Sequence, residues 1–209
     1  MLTMEDAILN SSLNPKNYHM EWSANYPTEY LHKEGEVWQT VDIRSGAVRT
    51  IEAPKNEKIA HAELRGNNIV WIDTEGKEQR VTDFADKNIV CGQSVSRNEF
   101  GISGGLFPSP DNSLLAFYQK DESRVTTFPL LDITSRTGSL VEIKYPMNGM
   151  ASERVQVGVY DVETKSVVYL SVTDFDEERY LTNVSWSPDS KTIYVQVLNR
   201  QQKEMHLNA

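Results

Sequence analysis

Cysteine is almost absent from the 209-residue sequence, since Cys91 is its only example. An internal disulfide and a cysteine-rich metal site are therefore excluded, and Cys91 is expected to be small apolar filling in a core. The four histidines share no motif and no metal-ligand spacing; they are His19, His32, His61 and His206. The sequence consequently predicts neither a metal site nor a cofactor.

Long apolar runs and an excess of positive charge are also missing. No stretch reaches the roughly 18 apolar residues that a membrane helix needs, and residues 1–6 lack the basic start and apolar centre of a secretory signal. The formal net charge is −9, which disfavours a nucleic-acid partner because phosphate binding needs clustered basic residues. We therefore expect neither membrane nor nucleic-acid binding, and the acidity suits a cationic ligand such as a free amino terminus.

The residues that are present show the two-residue alternation of β-strands almost throughout. A short helix is predicted only at 3–10, where Thr3 can cap the first turn. Three hairpins follow one plan, in which an apolar outgoing strand ends in an aspartate just before the turn. They lie at 36–51, 68–82 and 155–170, and the closing aspartates are Asp42, Asp73 and Asp161. Hairpins of this kind are typical of the outer strands of propeller blades.

A second repeated unit is the turn Ser109-Pro110-Asp111, which returns 78 residues later as Ser187-Pro188-Asp189. In each copy proline presets the backbone angle φ for a tight turn, and an apolar strand follows. This spacing is close to twice the roughly 40–45 residues of one propeller blade. The sequence therefore predicts an all-β fold, a partial β-propeller of about three to four four-stranded blades with a short N-terminal helix.

Four blades are assigned, at 20–52, 60–82, 104–171 and 182–209. The predicted domains are a helical segment at 1–18 and an incomplete β-propeller domain at 19–209. An insert at 121–152 lengthens the third blade and contains a surface loop at 144–150. A propeller closes only when its last blade meets its first, and residues 203–209 resemble half of a hairpin. We therefore expect the chain to be a piece of a longer protein.

The candidate functional residues lie ahead of the first Ser-Pro-Asp turn. Arg97, Asn98 and Glu99 belong to a polar, charged loop that can reach over the end of a sheet. Glu99 could present its carboxylate to a ligand, or it could be a solvated side chain paired with Arg97. Further along, Asp121, Glu122 and Arg124 could line a cavity that holds the same ligand. We favour instead an ion-pair cluster that orders the insert.

Residues 101–105 match the G-x-S-x-G pattern of a nucleophile elbow. That elbow needs a strand before it and a helix after it. Here a strand follows, and Pro108 and Pro110 forbid a helix, so Ser103 is not predicted to be a nucleophile. The glycines are expected to allow close packing of the backbone where the loop enters the blade.

Several ordered segments closely resemble the dipeptidyl peptidase IV family, particularly its bacterial members. They are Asn98-Glu99-Phe100-Gly101 with the four residues that follow, the Ser-Pro-Asp turn, 115–123, 143–149 and 180–189. The match runs in register from about residue 80 to the end and more loosely before it. The resemblance implies an eight-bladed propeller followed by an α/β-hydrolase domain. It also implies a serine exopeptidase that removes dipeptides from free amino termini, with Pro or Ala as the second residue.

The resemblance also implies a site. In the family, two adjacent acidic residues followed closely by Phe project from the propeller and bind the substrate's ammonium group. Here Asn98-Glu99 keeps only the second acid, so the substrate-binding residues are expected to be Glu99, with Asn98 and Arg97. A tripeptidyl activity stays open. Family members also use an arginine from an early blade, and Arg65, Arg80 and Arg97 are the candidates.

The hydrolase domain, with its catalytic Ser, Asp and His, has no counterpart in these 209 residues. The isolated chain is therefore expected to be inactive, and its partners to be that missing domain and a peptide with a free amino terminus. A homodimer of the full-length protein is compatible with the resemblance. A periplasmic or secreted location is expected, with the signal peptide absent from this sequence. The alternative is a stand-alone β-propeller that binds a partner without catalysis.

Overall fold

The computed structural model describes Thr3, residues 28–52, 60–176 and 178–209, together with the backbone of 20–22. It separates into two compact units, Met1–Glu57 and Lys58–Ala209. The helix predicted at 3–10 lies outside the described residues except for Thr3. Within the described ranges, no helix has the length and apolar character needed to cross a bilayer.

The first unit contains a four-stranded antiparallel sheet in simple sequential order. Its strands are β1 (Met20–Trp22), β2 (Glu29–Glu34), β3 (Val37–Asp42) and β4 (Val48–Ile51). The blade predicted at 20–52 is thus confirmed. Asp42 closes the β3–β4 turn, because its Oδ1 accepts the backbone N–H groups of Ser45 at 2.7 Å and Arg44 at 3.0 Å. Hydrogen bonds from the Ser45 backbone, the Ser45 hydroxyl and the Thr28 hydroxyl lower the pKa of Asp42 to about 2.

Among the described residues, which resume at 60, the second unit begins with a sheet of three strands, one fewer than predicted. They are β5 (His61–Arg65), β6 (Asn68–Ile72) and β7 (Glu78–Arg80). After β7 the chain leaves the ladder, because the backbone N–H groups of Val81 and Thr82 both donate to the Ile69 carbonyl. The hydroxyl of Thr82 then accepts the Ile69 N–H at 3.0 Å, so a side chain replaces the next backbone pair. The following strand, β8 (Ile89–Cys91), pairs with the third sheet instead.

The third sheet is built around one long central strand. Its order is β14-β13-β10-β8, with β9 also on β10, and the bounds are β9 (Leu106–Pro108), β10 (Leu114–Asp121), β13 (Arg154–Asp161) and β14 (Ser166–Tyr169). The insert between β10 and β13 forms its own hairpin, β11 (Thr127–Asp132) with β12 (Ser139–Lys144). The loop predicted at 144–150 follows that hairpin. The hairpin itself was not predicted from the sequence.

The fourth sheet has strand order β15-β16-β17. Its bounds are β15 (Tyr180–Trp186), β16 (Ile193–Leu198) and β17 (Met205–Asn208). The register between β15 and β16 shifts between Thr182 and Ser185. Asn183, inside this irregularity, has a φ of 49°, a left-handed angle that asparagine tolerates better than most residues.

Strand β10 divides the core of the second unit into two clusters. Because side chains alternate along a strand, Ala116 and Tyr118 pack towards Leu181 of β15 and its neighbours. Leu115 and Phe117 pack on the other side, in a cluster with buried residues of the second sheet and Cys91. Cys91 is fully buried, which confirms its predicted place in the core.

Hydrogen bonds also connect the third sheet to the fourth. The Tyr118 hydroxyl donates to the Leu181 carbonyl at 2.7 Å, and the Trp186 indole N–H donates to the Phe107 carbonyl at 2.8 Å. Within the second unit, three successive antiparallel sheets therefore pack side by side as propeller blades do. The predicted all-β, partial-propeller fold is confirmed.

Both Ser-Pro-Asp turns have the same internal hydrogen bonds. The Ser109 hydroxyl donates to Asp111 Oδ1 at 2.7 Å and accepts the Leu114 N–H at 3.0 Å. In the second copy, the Ser187 hydroxyl donates to the first oxygen of Asp189 at 2.6 Å and accepts the Thr192 N–H at 2.9 Å. The repeat in the sequence is thus a repeat in structure.

Candidate functional site

A strained turn, Ser96–Gly101, lies between β8 and β9. Five of its six residues have a left-handed backbone, with φ values of 52°, 54°, 63°, 56° and 73° at Ser96, Arg97, Asn98, Phe100 and Gly101. Glu99 alone is extended, with φ −68° and ψ 168°. Each left-handed residue other than glycine costs on the order of 1 kcal/mol, and such strain persists only where the surroundings impose it. The turn is therefore a candidate functional element.

Three contacts hold this turn in place. Glu153, only 9% exposed, accepts the Ser96 backbone N–H at 2.7 Å through Oε1. The Phe100 ring packs against Tyr180 with 4.7 Å between centroids. The Arg97 guanidinium lies 4.9 Å from the centre of the Tyr145 ring, a cation–π contact. The strain is thus imposed by residues far away in the sequence.

Beside the turn lies a cavity of about 260 Å³. Its lining includes Glu99, Phe100, Tyr145, Glu153, Arg179 and Arg200. Among the residues that the structure describes, no side chain pairs with the exposed carboxylate of Glu99. The alternative interpretation, in which Glu99 pairs with Arg97, does not describe this geometry because Arg97 contacts Tyr145 instead. An unpaired carboxylate at the wall of a cavity can bind a cation.

The strained turn separates the two polar residues that the sequence places side by side. Glu99 lines the cavity, whereas Asn98 lines a polar cleft of about 370 Å³ together with Lys120, Glu122 and Lys144. The Asn98 amide oxygen accepts a hydrogen bond from the Ser94 hydroxyl at 2.7 Å. Arg97 borders both spaces. The structure therefore brings Glu99 and Arg97 to the cavity and turns Asn98 towards the cleft.

Of the three charged residues considered at the end of β10, Glu122 forms an ion pair, but its partner is Lys120 of that strand rather than a member of the predicted cluster. Lys120 and Glu122 pair at 2.8 Å, with side chains 15% and 18% exposed. Asp121 Oδ1 accepts the Ser123 N–H at 2.8 Å. Hydrogen bonds from Ser123 and the nearby charges of Arg154 and Arg124 lower the pKa of Asp121. Glu122 borders the cleft behind the strained turn rather than the cavity beside it.

Two arginines that line the cavity, Arg179 and Arg200, were not predicted from the sequence. The Arg179 guanidinium donates to the backbone carbonyls of Val172 at 2.7 Å and Asp174 at 3.0 Å. Arg200 donates through Nη1 to the Tyr180 hydroxyl at 2.7 Å. Both lie about 80 or more residues after Glu99 in the chain and belong to no motif. The available signal was that Arg179 directly precedes the segment 180–189, which carries the family resemblance; Arg200 lies outside that segment.

Two of the three arginines considered as clamp candidates lie elsewhere. Arg65 pairs with Glu63 and with Glu78, and Arg80 pairs with Asp83 at 2.7 Å. Neither borders the cavity, so Arg97 is the candidate that the fold brings to it. Among the described residues, no group of three or more His, Cys, Asp or Glu side chains could hold a metal ion.

Gly105, the last glycine of the G-x-S-x-G pattern, lies where two backbone segments approach closely. A Cβ atom at Gly105 would lie 2.1 Å from the Gln93 carbonyl oxygen. The predicted close approach of backbone where the loop enters the blade is therefore confirmed at Gly105. Ser103 is exposed and precedes β9 instead of a helix.

Sequence comparison finds one family along nearly the whole chain. The family model described as the dipeptidyl peptidase IV (DPP IV) N-terminal region matches residues 5–209. A protein of Emericella nidulans named "Probable dipeptidyl peptidase 4" is 26% identical over 206 residues, which cover 88% of this chain and 26% of that protein. A "Probable dipeptidyl-aminopeptidase B" of Pyrenophora tritici-repentis is 25% identical, over 91% of this chain and 24% of that protein. The chain thus spans about a quarter of the length of these relatives.

Solved structures agree with this result. A crystal structure from Bacteroides ovatus, provisionally described as a dipeptidyl aminopeptidase IV, matches with a TM-score of 0.58 and 37% identity. The match covers 86% of this chain and 26% of that one. The dipeptidyl peptidase 4 of Porphyromonas gingivalis shares the fold, with a TM-score of 0.65 at 23% identity over 90% of this chain and 28% of that one.

Proposed function

The chain belongs to the family of dipeptidyl peptidase IV N-terminal regions, and from this premise we propose that it is the propeller part of a serine exopeptidase. That enzyme releases dipeptides, Xaa-Pro or Xaa-Ala, from free peptide amino termini. The propeller binds the substrate's amino terminus and limits access, while an α/β-hydrolase domain outside this chain supplies the catalytic Ser, Asp and His. The enzyme acts in the periplasm or after secretion.

The observation that carries this proposal is the unpaired carboxylate of Glu99 at the cavity. A substrate's ammonium group would form a charge-assisted hydrogen bond with it, which is stronger than a neutral one. A peptide with a blocked amino terminus cannot make that bond and leaves the carboxylate without a partner. Once a bound substrate excludes water from this carboxylate, the missing bond discriminates against the blocked peptide. Glu99 therefore makes the free amino terminus the point from which substrate length is measured.

A single acid is sufficient for this role. Asn98 contributes no charge, and its amide borders the cleft rather than the cavity. The ammonium group therefore binds at Glu99, with the nearby Arg97 guanidinium held away on Tyr145. The distance from Glu99 to the serine of the hydrolase domain then sets the number of residues released, for which we propose two.

The direct test is Glu99→Gln in the full-length protein, with release of para-nitroaniline from Gly-Pro-para-nitroanilide as the measurement. Loss of the charge should lower kcat/KM by about tenfold to a hundredfold, because one partner of a charge-assisted bond is removed. Glu75→Gln, on an exposed hairpin turn, is the matched control and should retain wild-type turnover. A Glu99→Gln enzyme with wild-type kcat/KM would remove Glu99 from the site. No turnover in the wild-type full-length protein would instead support a binding module.

A further inference from the structure

We propose that Arg200 and Tyr180 form a second subsite of the same cavity, which binds the side-chain carboxylate of an acidic first residue in the peptide. This inference rests on the proposed function, because it takes the ammonium group bound at Glu99 as its reference point. It assigns the enzyme a preference among first residues.

A continuous series of contacts connects Glu99 to Arg200. Phe100, the next residue after Glu99, packs on the Tyr180 ring with 4.7 Å between centroids. The Tyr180 hydroxyl accepts a hydrogen bond from Arg200 Nη1 at 2.7 Å. Tyr180 opens β15 and pairs with Leu198, the last residue of β16. Arg200 therefore stands at the same end of this sheet as Tyr180, facing the strained turn.

The backbone that carries Arg200 is well defined. The Asn199 N–H donates to the Glu204 carbonyl at 3.0 Å, and the Gln202 N–H donates to the Asn199 carbonyl at 2.9 Å. The Asn199 side-chain oxygen also accepts the Lys203 N–H at 2.9 Å. A turn with this many internal bonds places its side chains reproducibly, as a specific subsite requires.

Arg200 keeps donor capacity for a ligand beside Tyr180. A guanidinium has five N–H donors. Arg179 donates through both terminal nitrogens to carbonyls of the segment just before it, and the Arg97 guanidinium lies on the Tyr145 ring rather than beside Tyr180. Half-buried Arg200 donates to the Tyr180 hydroxyl, and no other acceptor for it lies among the described residues. Its remaining planar edge matches the two oxygens of a carboxylate.

The charge of the cavity favours an acidic ligand. Its lining carries three guanidinium groups, on Arg97, Arg179 and Arg200, and two carboxylates, on Glu99 and Glu153. A bound ammonium group adds another positive charge. A glutamate or aspartate side chain on the same residue offsets that charge, whereas a lysine side chain increases it.

The test is calorimetric binding of the dipeptides Glu-Pro, Gln-Pro and Lys-Pro to the full-length protein. These dipeptides contain no bond that a dipeptidyl peptidase would release, so binding is measured without turnover. Glu-Pro should bind about tenfold more tightly than Gln-Pro, as expected for one half-buried charge pair. Arg200→Gln should bring that ratio close to one, and Arg200→Glu should make Lys-Pro the tightest ligand. Arg136→Gln, an exposed arginine in the β11–β12 turn, should keep the wild-type ratio.

Equal wild-type affinities for Glu-Pro and Gln-Pro would overturn the proposal, and so would an Arg200→Gln protein that keeps the Glu-Pro preference. An equal loss of affinity for all three dipeptides in Arg200→Gln would also overturn it, because the contact would then be to a group that every peptide shares. Turnover of Gly-Pro-para-nitroanilide by the wild-type enzyme tests the proposed function separately. A protein without turnover that still prefers Glu-Pro through Arg200 would support the subsite and contradict the exopeptidase.

Discussion

The two Ser-Pro-Asp turns are nearly identical, but the segments that lead into them are not. Before Ser187 the chain runs as the ordinary strand β15, with one shift of register. Before Ser109 it passes through the left-handed turn Ser96–Gly101 and then the close approach at Gly105. One blade therefore enters its turn by regular pairing, and its neighbour enters it from a strained segment that carries Glu99.

The difference separates a structure that neighbouring residues stabilise from one that distant residues impose. A Ser-Pro-Asp turn is stabilised by its own residues, so it forms wherever the sequence occurs. The left-handed turn depends on Glu153, Tyr180 and Tyr145, which follow it by about 45 to 85 residues. A segment of this type holds a functional side chain in a fixed position at the cost of local strain.

The largest expected effect comes from adding one methyl group where the strained segment enters its blade. Gly105→Ala places a Cβ 2.1 Å from the Gln93 carbonyl oxygen, so backbone must move. We expect a loss of about 3 kcal/mol in the free energy of unfolding, at the upper end of typical overpacking costs. Urea denaturation measures it. The control is Gly104→Ala, which meets no atom within 4 Å and should change stability by less than about 0.5 kcal/mol. Equal effects at both positions would contradict the close approach.

An intermediate effect is expected when the anchor of the strained turn is removed. Glu153→Ala leaves the Ser96 N–H without its acceptor, which should cost about 1–3 kcal/mol of stability. Hydrogen exchange should accelerate at residues 96–102 more than in β15, because the second Ser-Pro-Asp unit has no such anchor. Glu153→Gln keeps an acceptor oxygen and should retain most of the protection. Uniform acceleration across both blades would show that Glu153 supports the fold as a whole rather than this turn.

The locally encoded parts of the fold could be predicted from sequence. Asp42, Asp73 and Asp161 each close a hairpin because a short carboxylate accepts the backbone N–H groups of the turn that follows. The apolar run after the first Ser-Pro-Asp turn likewise indicated the strand β10. These features depend on residues within about five positions of one another, so their pattern is visible in one sequence.

The features that the sequence did not predict depend on residues far apart in the chain. Within residues 60–91 the second sheet has no fourth strand, because the Thr82 hydroxyl takes the Ile69 N–H in place of a backbone carbonyl. The alternation of apolar and polar residues does not reveal this bond. Only part of the site could be predicted. The family resemblance pointed to Glu99, but Arg179 and Arg200 reach the cavity only because β15 packs beside the strained turn. The separation of Asn98 from Glu99 follows from backbone angles that no propensity predicts.

The smallest expected effect compares the two turn aspartates directly through pH. The Ser113 backbone N–H and the hydroxyls of Ser109 and Ser113 hold the pKa of Asp111 well below its usual value. The Ser187 hydroxyl and the Lys191 backbone N–H lower the pKa of Asp189. A carboxyl with a lowered folded-state pKa contributes stability above its unfolded pKa of about 3.9, and that stability is lost as the pH falls towards the folded-state value.

Urea midpoints measured from about pH 7 down to about pH 2 should therefore fall in acid. Asp111→Asn should flatten this decline more than Asp189→Asn, since the Ser113 N–H and two serine hydroxyls depress the pKa of Asp111. Equal flattening would mean that the carboxylates of the two turns contribute alike. An unchanged decline in both variants would mean that other carboxylates determine the acid sensitivity, and that the likeness of the two turns is geometric only.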